Sequence, residues 1–303
     1  MVMRRTTIDI DGPVSVIEYG GTGPLAVCVH GLEGSALNWR LIANGLGERH
    51  TVVAPDLSGF GYTEPQERPS TVAHNASIVA EVIRHYGGPA LLIGNSMGGL
   101  ISLIAAAETP DLITALVLVD AAGPVGSWSR LNPTTLAKLG APLLPGVGPK
   151  LVDAYRATRT AEEGVVEAYQ FVTADPQSVH PIAFADALEI AELRRCQPWA
   201  TGSLIEATRS IAPWVLRRKH YSKMIHRIPH TALIVHGTRD DVVQVDTTRW
   251  LARERPDWTV AYMKGLGHVP MIEAPERFMQ IFDAWADAGY DPKPVTASSV
   301  AGN

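Results

Sequence analysis

Serine attacks an acyl carbon only when its hydroxyl is held clear of the backbone and a base takes its proton, because at neutral pH the hydroxyl stays protonated. One serine in this chain has such a setting. Gly94-Asn95-Ser96-Met97-Gly98-Gly99 follows the apolar run Leu91-Leu92-Ile93 and precedes a helical stretch. A strand-to-helix turn at Ser96 would strain the backbone and lift the side chain above a sheet. Gly94 and Gly98 stand where the flanking chains come too close for a side chain. The pentad by itself is a weak signal; its place between strand and helix separates it from an ordinary glycine-rich turn.

The chain has ten histidines that could serve as the base. His268, in Gly265-Leu266-Gly267-His268-Val269-Pro270, lies on a short glycine-rich loop after the apolar stretch around Trp258 to Met263 and is the last of the ten. His30 and His236 each end an apolar run before a glycine, where a packed or supporting role fits better. The acid that orients the imidazole is expected at Asp240, in His236-Gly237-Thr238-Arg239-Asp240, with Asp120 at the end of Leu116 to Val119 as the alternative. The negative oxygen of a tetrahedral intermediate needs N–H donors. The amide of Met97, opening a helix, is one candidate, and that of Leu32 in His30-Gly31-Leu32-Glu33-Gly34 is the other. No metal-binding pattern is visible, and Gly20-Gly21-Thr22-Gly23 lacks the lysine and helix of a phosphate loop, so no cofactor is expected.

These residues need a scaffold that brings strand ends to one edge. Thr6 to Ile10 and Val14 to Tyr19 alternate around Asp11-Gly12-Pro13, which reads as a hairpin. Leu25 to Val29, Thr51 to Ala54, Ala90 to Ile93, Ala115 to Val119 and Ala232 to Val235 are unbroken apolar runs, as in parallel strands buried on both faces. Between them, Ile78, Val79, Val82, Ile83 and Tyr86 form a helical stripe that Gly87 stops, and Phe278, Ile281, Phe282 and Trp285 form another after Pro275. The alternation implies an α/β sheet with right-handed crossovers. It breaks between about 125 and 228, where the chain is first Pro- and Gly-rich and then helical near 161–172, 185–195 and 204–218. The expected division is a core of 1–124 and 229–290, a helical cap of 125–228 over the carboxyl edge of the sheet, and a disordered tail at 291–303.

With 303 residues, 46% of them hydrophobic, the chain can bury a large core without a disulfide or metal staple. A formal charge of −5 argues against a nucleic-acid partner. The one basic cluster, Arg217-Arg218-Lys219-His220 with Lys223 and Arg227, reads first as a solvated helix face. Cys28 and Cys196 form no framework, no apolar stretch follows the arginines near the start, and no segment is long enough to span a bilayer. A soluble protein in a reducing cytoplasm is expected.

Together, His-Gly-Leu-Glu-Gly, Asp-Leu-Ser-Gly-Phe-Gly, Gly-Asn-Ser-Met-Gly-Gly, His-Gly-Thr-Arg-Asp and Gly-Leu-Gly-His resemble the α/β-hydrolase superfamily over about residues 14 to 288. The resemblance implies a mostly parallel eight-stranded sheet flanked by helices, a cap inserted after strand six, and the chain order serine, acid, histidine. Within the superfamily the sequence is similar to microbial esterases and lipases and to carbon–carbon bond hydrolases of aromatic ring-fission products. Dehalogenases and epoxide hydrolases carry an aspartate where Ser96 stands, and carbon–carbon hydrolases typically have a tryptophan where Val269 stands. The first expectation is therefore an esterase acting on a small apolar or amphipathic ester, followed by carbon–carbon hydrolysis on the same triad and by a catalytically silent ligand-binding protein. Trp128, Leu139, Leu143, Trp214 and Val269 are candidate pocket residues, each equally able to serve in packing.

Overall fold

The computed structural model describes residues 3–126 and 132–289. It begins with the expected hairpin, β1 (Arg4–Asp9) and β2 (Pro13–Gly20), turning through Asp11 and Gly12 at φ 49° and 114°. There follow β3 (Leu25–Val29), α1 (Arg40–Leu46), β4 (Thr51–Pro55), α2 (Val72–His85), β5 (Ala90–Asn95), α3 (Met97–Glu108) and β6 (Ile113–Val119). After a long connection come β7 (Ala232–Gly237), α10 (Val245–Glu254), β8 (Thr259–Met263), α11 (Pro270–Glu273) and α12 (Pro275–Asp287). The eight strands form one sheet in the order β1-β2-β4-β3-β5-β6-β7-β8. The β1–β2 and β2–β4 pairs are antiparallel, and β4 through β8 run parallel.

Every residue of β3, β5 and β7 is buried, which explains their unbroken apolar character. Side chains nevertheless alternate by face. Val27, Leu92, Leu116 and Ile234 pack toward α2 and α3, while Cys28, Ile93, Val117 and Val235 pack toward α1 and α12. On the second face Phe278 and Phe282 of α12 are wholly buried, each contributing about 1.5–3 kcal/mol of transfer free energy. Because β3, β5, β6, β7 and β8 all run one way, their carboxyl ends share an edge. His30, Ser96 and Asp120 follow directly on those ends, and Asp240 and His268 lie on the loops after β7 and β8.

The β6–β7 connection holds α4 (Pro133–Gly140), α5 (Gly148–Ala157), α6 (Ala161–Val172), α7 (Pro181–Arg195), α8 (Ala200–Leu216) and α9 (Arg218–Ile225). The Pro- and Gly-rich part, where the sequence pattern assigns no particular helix, contains α4 and α5, which use Pro133 and Pro149 in their first turns. The helix expected over 204–218 stops at Leu216, because Arg217 leaves helical geometry at φ −111°, ψ 73°, four residues after Pro213. The basic residues 217–220 then lie exposed at the start of α9. Trp128 and the 291–303 tail lie outside the described residues. No helix among the described residues is long and apolar enough to cross a membrane.

Candidate active site

Ser96 occupies the turn from β5 into α3 with φ 56° and ψ −119°, a region that residues with a side chain rarely enter. Such a conformation costs of order 1–3 kcal/mol and persists only when its surroundings over-determine it. Here they do. The Ser96 N–H donates to the Val119 carbonyl at 3.0 Å, and the Ser96 carbonyl accepts from Ala122, Gly99 and Leu100 at 2.9, 3.0 and 3.2 Å. Asn95 and Met97 are buried on either side while Ser96 is partly exposed. The two glycines have the reason inferred for them. A Cβ on Gly94 would lie 2.4 Å from the Gly98 carbonyl oxygen, and one on Gly98 would lie 2.1 Å from that of Val29. Since that obstacle is backbone, Gly98→Ala must displace α3; a loss of about 1–3 kcal/mol is expected in thermal or denaturant unfolding.

His268 lies on the loop after β8, and its Nδ1 is 2.7 Å from Asp240 Oδ2. The other Asp240 oxygen accepts from the Val242 and Val243 amides at 2.7 and 2.9 Å. Burial would raise this carboxyl, but His268, His236 and the Val243 amide outweigh it and hold Asp240 below the ordinary carboxylate range. An ionised Asp240 fixes the proton on Nδ1 of His268 and leaves Nε2 as the free base. The serine hydroxyl makes no hydrogen bond to a described residue. The two loops are joined instead by Asn95, whose Nδ2 donates to the His268 and Val119 carbonyls, both at 3.1 Å.

Asp120 takes another position. Its Oδ1 accepts from the Gly237 amide at 2.9 Å, and its buried Oδ2 has no well-formed hydrogen bond among the described residues. Burial and the neighbouring Asp240 carboxylate push the Asp120 carboxyl well above the ordinary range. His236 Nε2 donates to the Val243 carbonyl at 3.1 Å and its Nδ1 meets the Thr248 hydroxyl at 2.8 Å. One ligand-type atom each of Asp120, His236 and Asp240 lies within 4.8 Å of the others. Both imidazole nitrogens and both Asp240 oxygens are already engaged by the protein.

The loop after β3 sits against Ser96, since a Cβ on Gly31 would be 3.2 Å from that of Ser96. Gly34 N–H donates to the Gly31 carbonyl at 3.1 Å, closing a turn with Leu32 and Glu33 at its centre. His30 secures it. Its Nε2 accepts from the Leu57 amide at 3.0 Å, which leaves Nδ1–H to donate to the Gly31 carbonyl at 2.8 Å. Among the described residues no acceptor answers the Leu32 N–H. The amide of Met97 opens α3 and, like other first-turn amides, has no partner within the helix.

Three supporting residues escaped the sequence reading. Asn95 was visible only as the variable position before Ser96. Glu273 ends the apolar stretch from Val269, and its two oxygens accept from Gly267 at 2.7 Å and Ala174 at 2.8 Å, tying the histidine loop to the chain just after α6. A lone acid after four apolar residues was the available signal. The His268 amide also donates to the Val172 carbonyl at 2.7 Å. Glu33 is the third, described below. Of the pocket candidates, Val269 is buried and Leu139 and Leu143 are half-buried. Trp214 packs on His220, ring centroids 4.4 Å apart, and on Tyr221, so packing accounts for it.

The sheet order and the residues at its carboxyl edge define a class of protein. Residues 26–281 match the alpha/beta hydrolase family, and the chain belongs to it. It is 29% identical to "Lipase 3" of a Moraxella species over 88% of this chain and 78% of that protein. It is 28% identical to 2-hydroxymuconate semialdehyde hydrolase of a Pseudomonas species, covering 83% of this chain and 82% of that one. In structure it resembles a bacterial membrane phospholipase A with a TM-score of 0.76 and 26% identity, over 94% and 86% of the two chains. A lipase and a semialdehyde hydrolase thus both stand among its relatives, and hydrolase activity follows from the family.

Proposed function

We propose that the protein is a serine hydrolase that cleaves a small apolar or amphipathic carboxylic ester, with Ser96, His268 and Asp240 as its triad. The observation that carries this reading is a strained, partly exposed serine whose chain neighbour Asn95 donates to the carbonyl of His268, a histidine whose Nδ1 is committed to a buried carboxylate. His268 Nε2 takes the Ser96 proton as Oγ bonds to the ester carbon. The carbonyl oxygen, now negative, is received by the Leu32 and Met97 amides. Collapse breaks the bond to the alkoxy oxygen, which leaves with the proton from His268. Water then repeats the sequence on the acyl-enzyme, releasing the acid and restoring Ser96. The α4–α9 insertion serves as a cap over these strand ends. Val269, standing where carbon–carbon hydrolases typically have tryptophan, favours ester chemistry.

A fluorophosphonate probe and a substrate panel test the reading. Native protein should be labelled at Ser96 and should turn over nitrophenyl esters faster than a vinylogous diketone acid. Preference for the diketone acid would transfer the triad to carbon–carbon hydrolysis. Absence of both labelling and turnover would leave a ligand-binding member of the fold.

A further inference from the structure

Glu33 is an unexpected residue for its place. It is the third residue of the Gly31–Gly34 turn and has φ 57°, a left-handed conformation that disfavours any residue with a Cβ. Glycine would fit there without strain, and the turn already begins and ends with glycine. A glutamate there needs a compensating interaction, and the insertion provides one. Arg156 of α5 donates from Nη2 to Glu33 Oε1 at 2.8 Å, and Nη1 of Arg194 of α7 lies 3.7 Å from the same oxygen. Nη2 of Arg194 also donates to the Glu33 backbone carbonyl. The carbonyl and the carboxylate are therefore held together, fixing backbone as well as side chain.

The arginines are themselves anchored. Nη1 of Arg156 donates to the Thr201 hydroxyl at 2.9 Å, which donates in turn to Asp153 at 2.6 Å. Arg195 caps the Arg156 and Arg159 carbonyls at 3.2 and 2.7 Å. Desolvation would raise the Glu33 carboxyl, but Arg194 and Arg156 outweigh it and keep it ionised. A turn gripped at one end by His30 and at the other by two helices of the insertion has little freedom to rotate its peptide planes. One of those planes carries the Leu32 N–H.

We propose that Glu33 is a positioning residue through which Arg156 and Arg194 of the insertion hold the Gly31–Gly34 turn in the conformation that aims the Leu32 amide at the developing oxyanion. This rests on the serine-hydrolase reading above. Without the grip, Glu33 relaxes toward negative φ, Gly34 moves off the Gly31 carbonyl, and the Gly31–Leu32 plane that carries the Leu32 N–H is free to tilt, so the loss falls on the transition state rather than on substrate binding.

The test compares Glu33→Ala, Glu33→Gly and Arg156→Ala/Arg194→Ala with the native protein, reading kcat and KM for a nitrophenyl ester and the affinity of an alkyl trifluoromethyl ketone. For Glu33→Ala, kcat should fall about 10- to 100-fold, short of the 10²–10³ typical of a donor removed outright. KM should change less than about threefold, and ketone affinity should fall with kcat. Glu33→Gly, which tolerates the left-handed turn, should lose less than Glu33→Ala. The arginine pair should match Glu33→Ala, and combining them should add little. Unchanged kcat and ketone affinity in folded Glu33→Ala, or Glu33→Gly losing more than Glu33→Ala, would overturn the proposal. So would a change confined to KM, which would make the arginines a site for an anionic substrate. An inactive, unlabelled native protein would instead remove the hydrolase reading and this one with it; native activity with unaffected variants removes this one alone.

Discussion

Ser96→Ala is expected, on the proposed mechanism, to lower kcat by about 10⁶-fold while leaving the folded protein intact, since loss of a triad's nucleophile is felt almost entirely in the chemical step. Stability should hold for a local reason. The Ser96 hydroxyl has no hydrogen-bond partner among the described residues, whereas four backbone hydrogen bonds fix its strained conformation and survive the substitution. Alanine adopts that conformation at no greater cost than serine. Turnover of a nitrophenyl ester, fluorophosphonate labelling and thermal unfolding check the three parts. A variant that keeps a tenth of native turnover would place the nucleophile elsewhere.

The second large effect separates two buried carboxyls. Asp240→Asn should lower kcat by about 10⁴-fold, as expected when the histidine is left in the wrong tautomer. The Val242 and Val243 amides demand an acceptor, so the asparagine oxygen stays with them and its NH₂ faces His268 Nδ1. The ring must then carry its proton on Nε2, where the base should be free. Asp120→Asn should cost less than tenfold, because asparagine keeps an acceptor for the Gly237 amide, and burial and Asp240 already disfavour a charge on Asp120. Asp120 also fixes a sign for stability. Its folded pKa is raised, so above about pH 4 the unfolded chain loses this proton while the folded protein keeps it, and stability falls with rising pH. Asp120→Asn removes that slope, so its stability relative to native protein should grow as pH rises above 4 in urea titrations. A relative stability that declines instead would mean that Asp120 is ionised in the folded state.

The residues that could be read in advance were those whose reasons are local. Hydrophobic runs at β3, β5 and β7 need only the knowledge that both faces of a strand are covered, and Gly94-Asn95-Ser96-Met97-Gly98 needs only a strand before it and a helix after it. The α4 and α5 segment was harder. Its Pro and Gly residues break periodicity, yet Pro133 and Pro149 start helices. Glu33, Asn95 and Glu273 left no periodic signature, since each is explained by a partner far along the chain. Glu33 meets Arg156 and Arg194, Asn95 meets His268, and Glu273 meets Ala174.

The alternating architecture, the turn at Ser96 and a short roster of candidates for base, acid and amide donors were legible from local pattern alone. The tertiary structure decided how those candidates are paired. It set Asp240 against His268 and turned Asp120 to Gly237, and it brought the insertion onto both the Leu32 turn and the histidine loop. Periodicity reports which side of an element is buried. Which charge meets which depends on the docking of separate loops, where a shift of an ångström exchanges one hydrogen-bond partner for another.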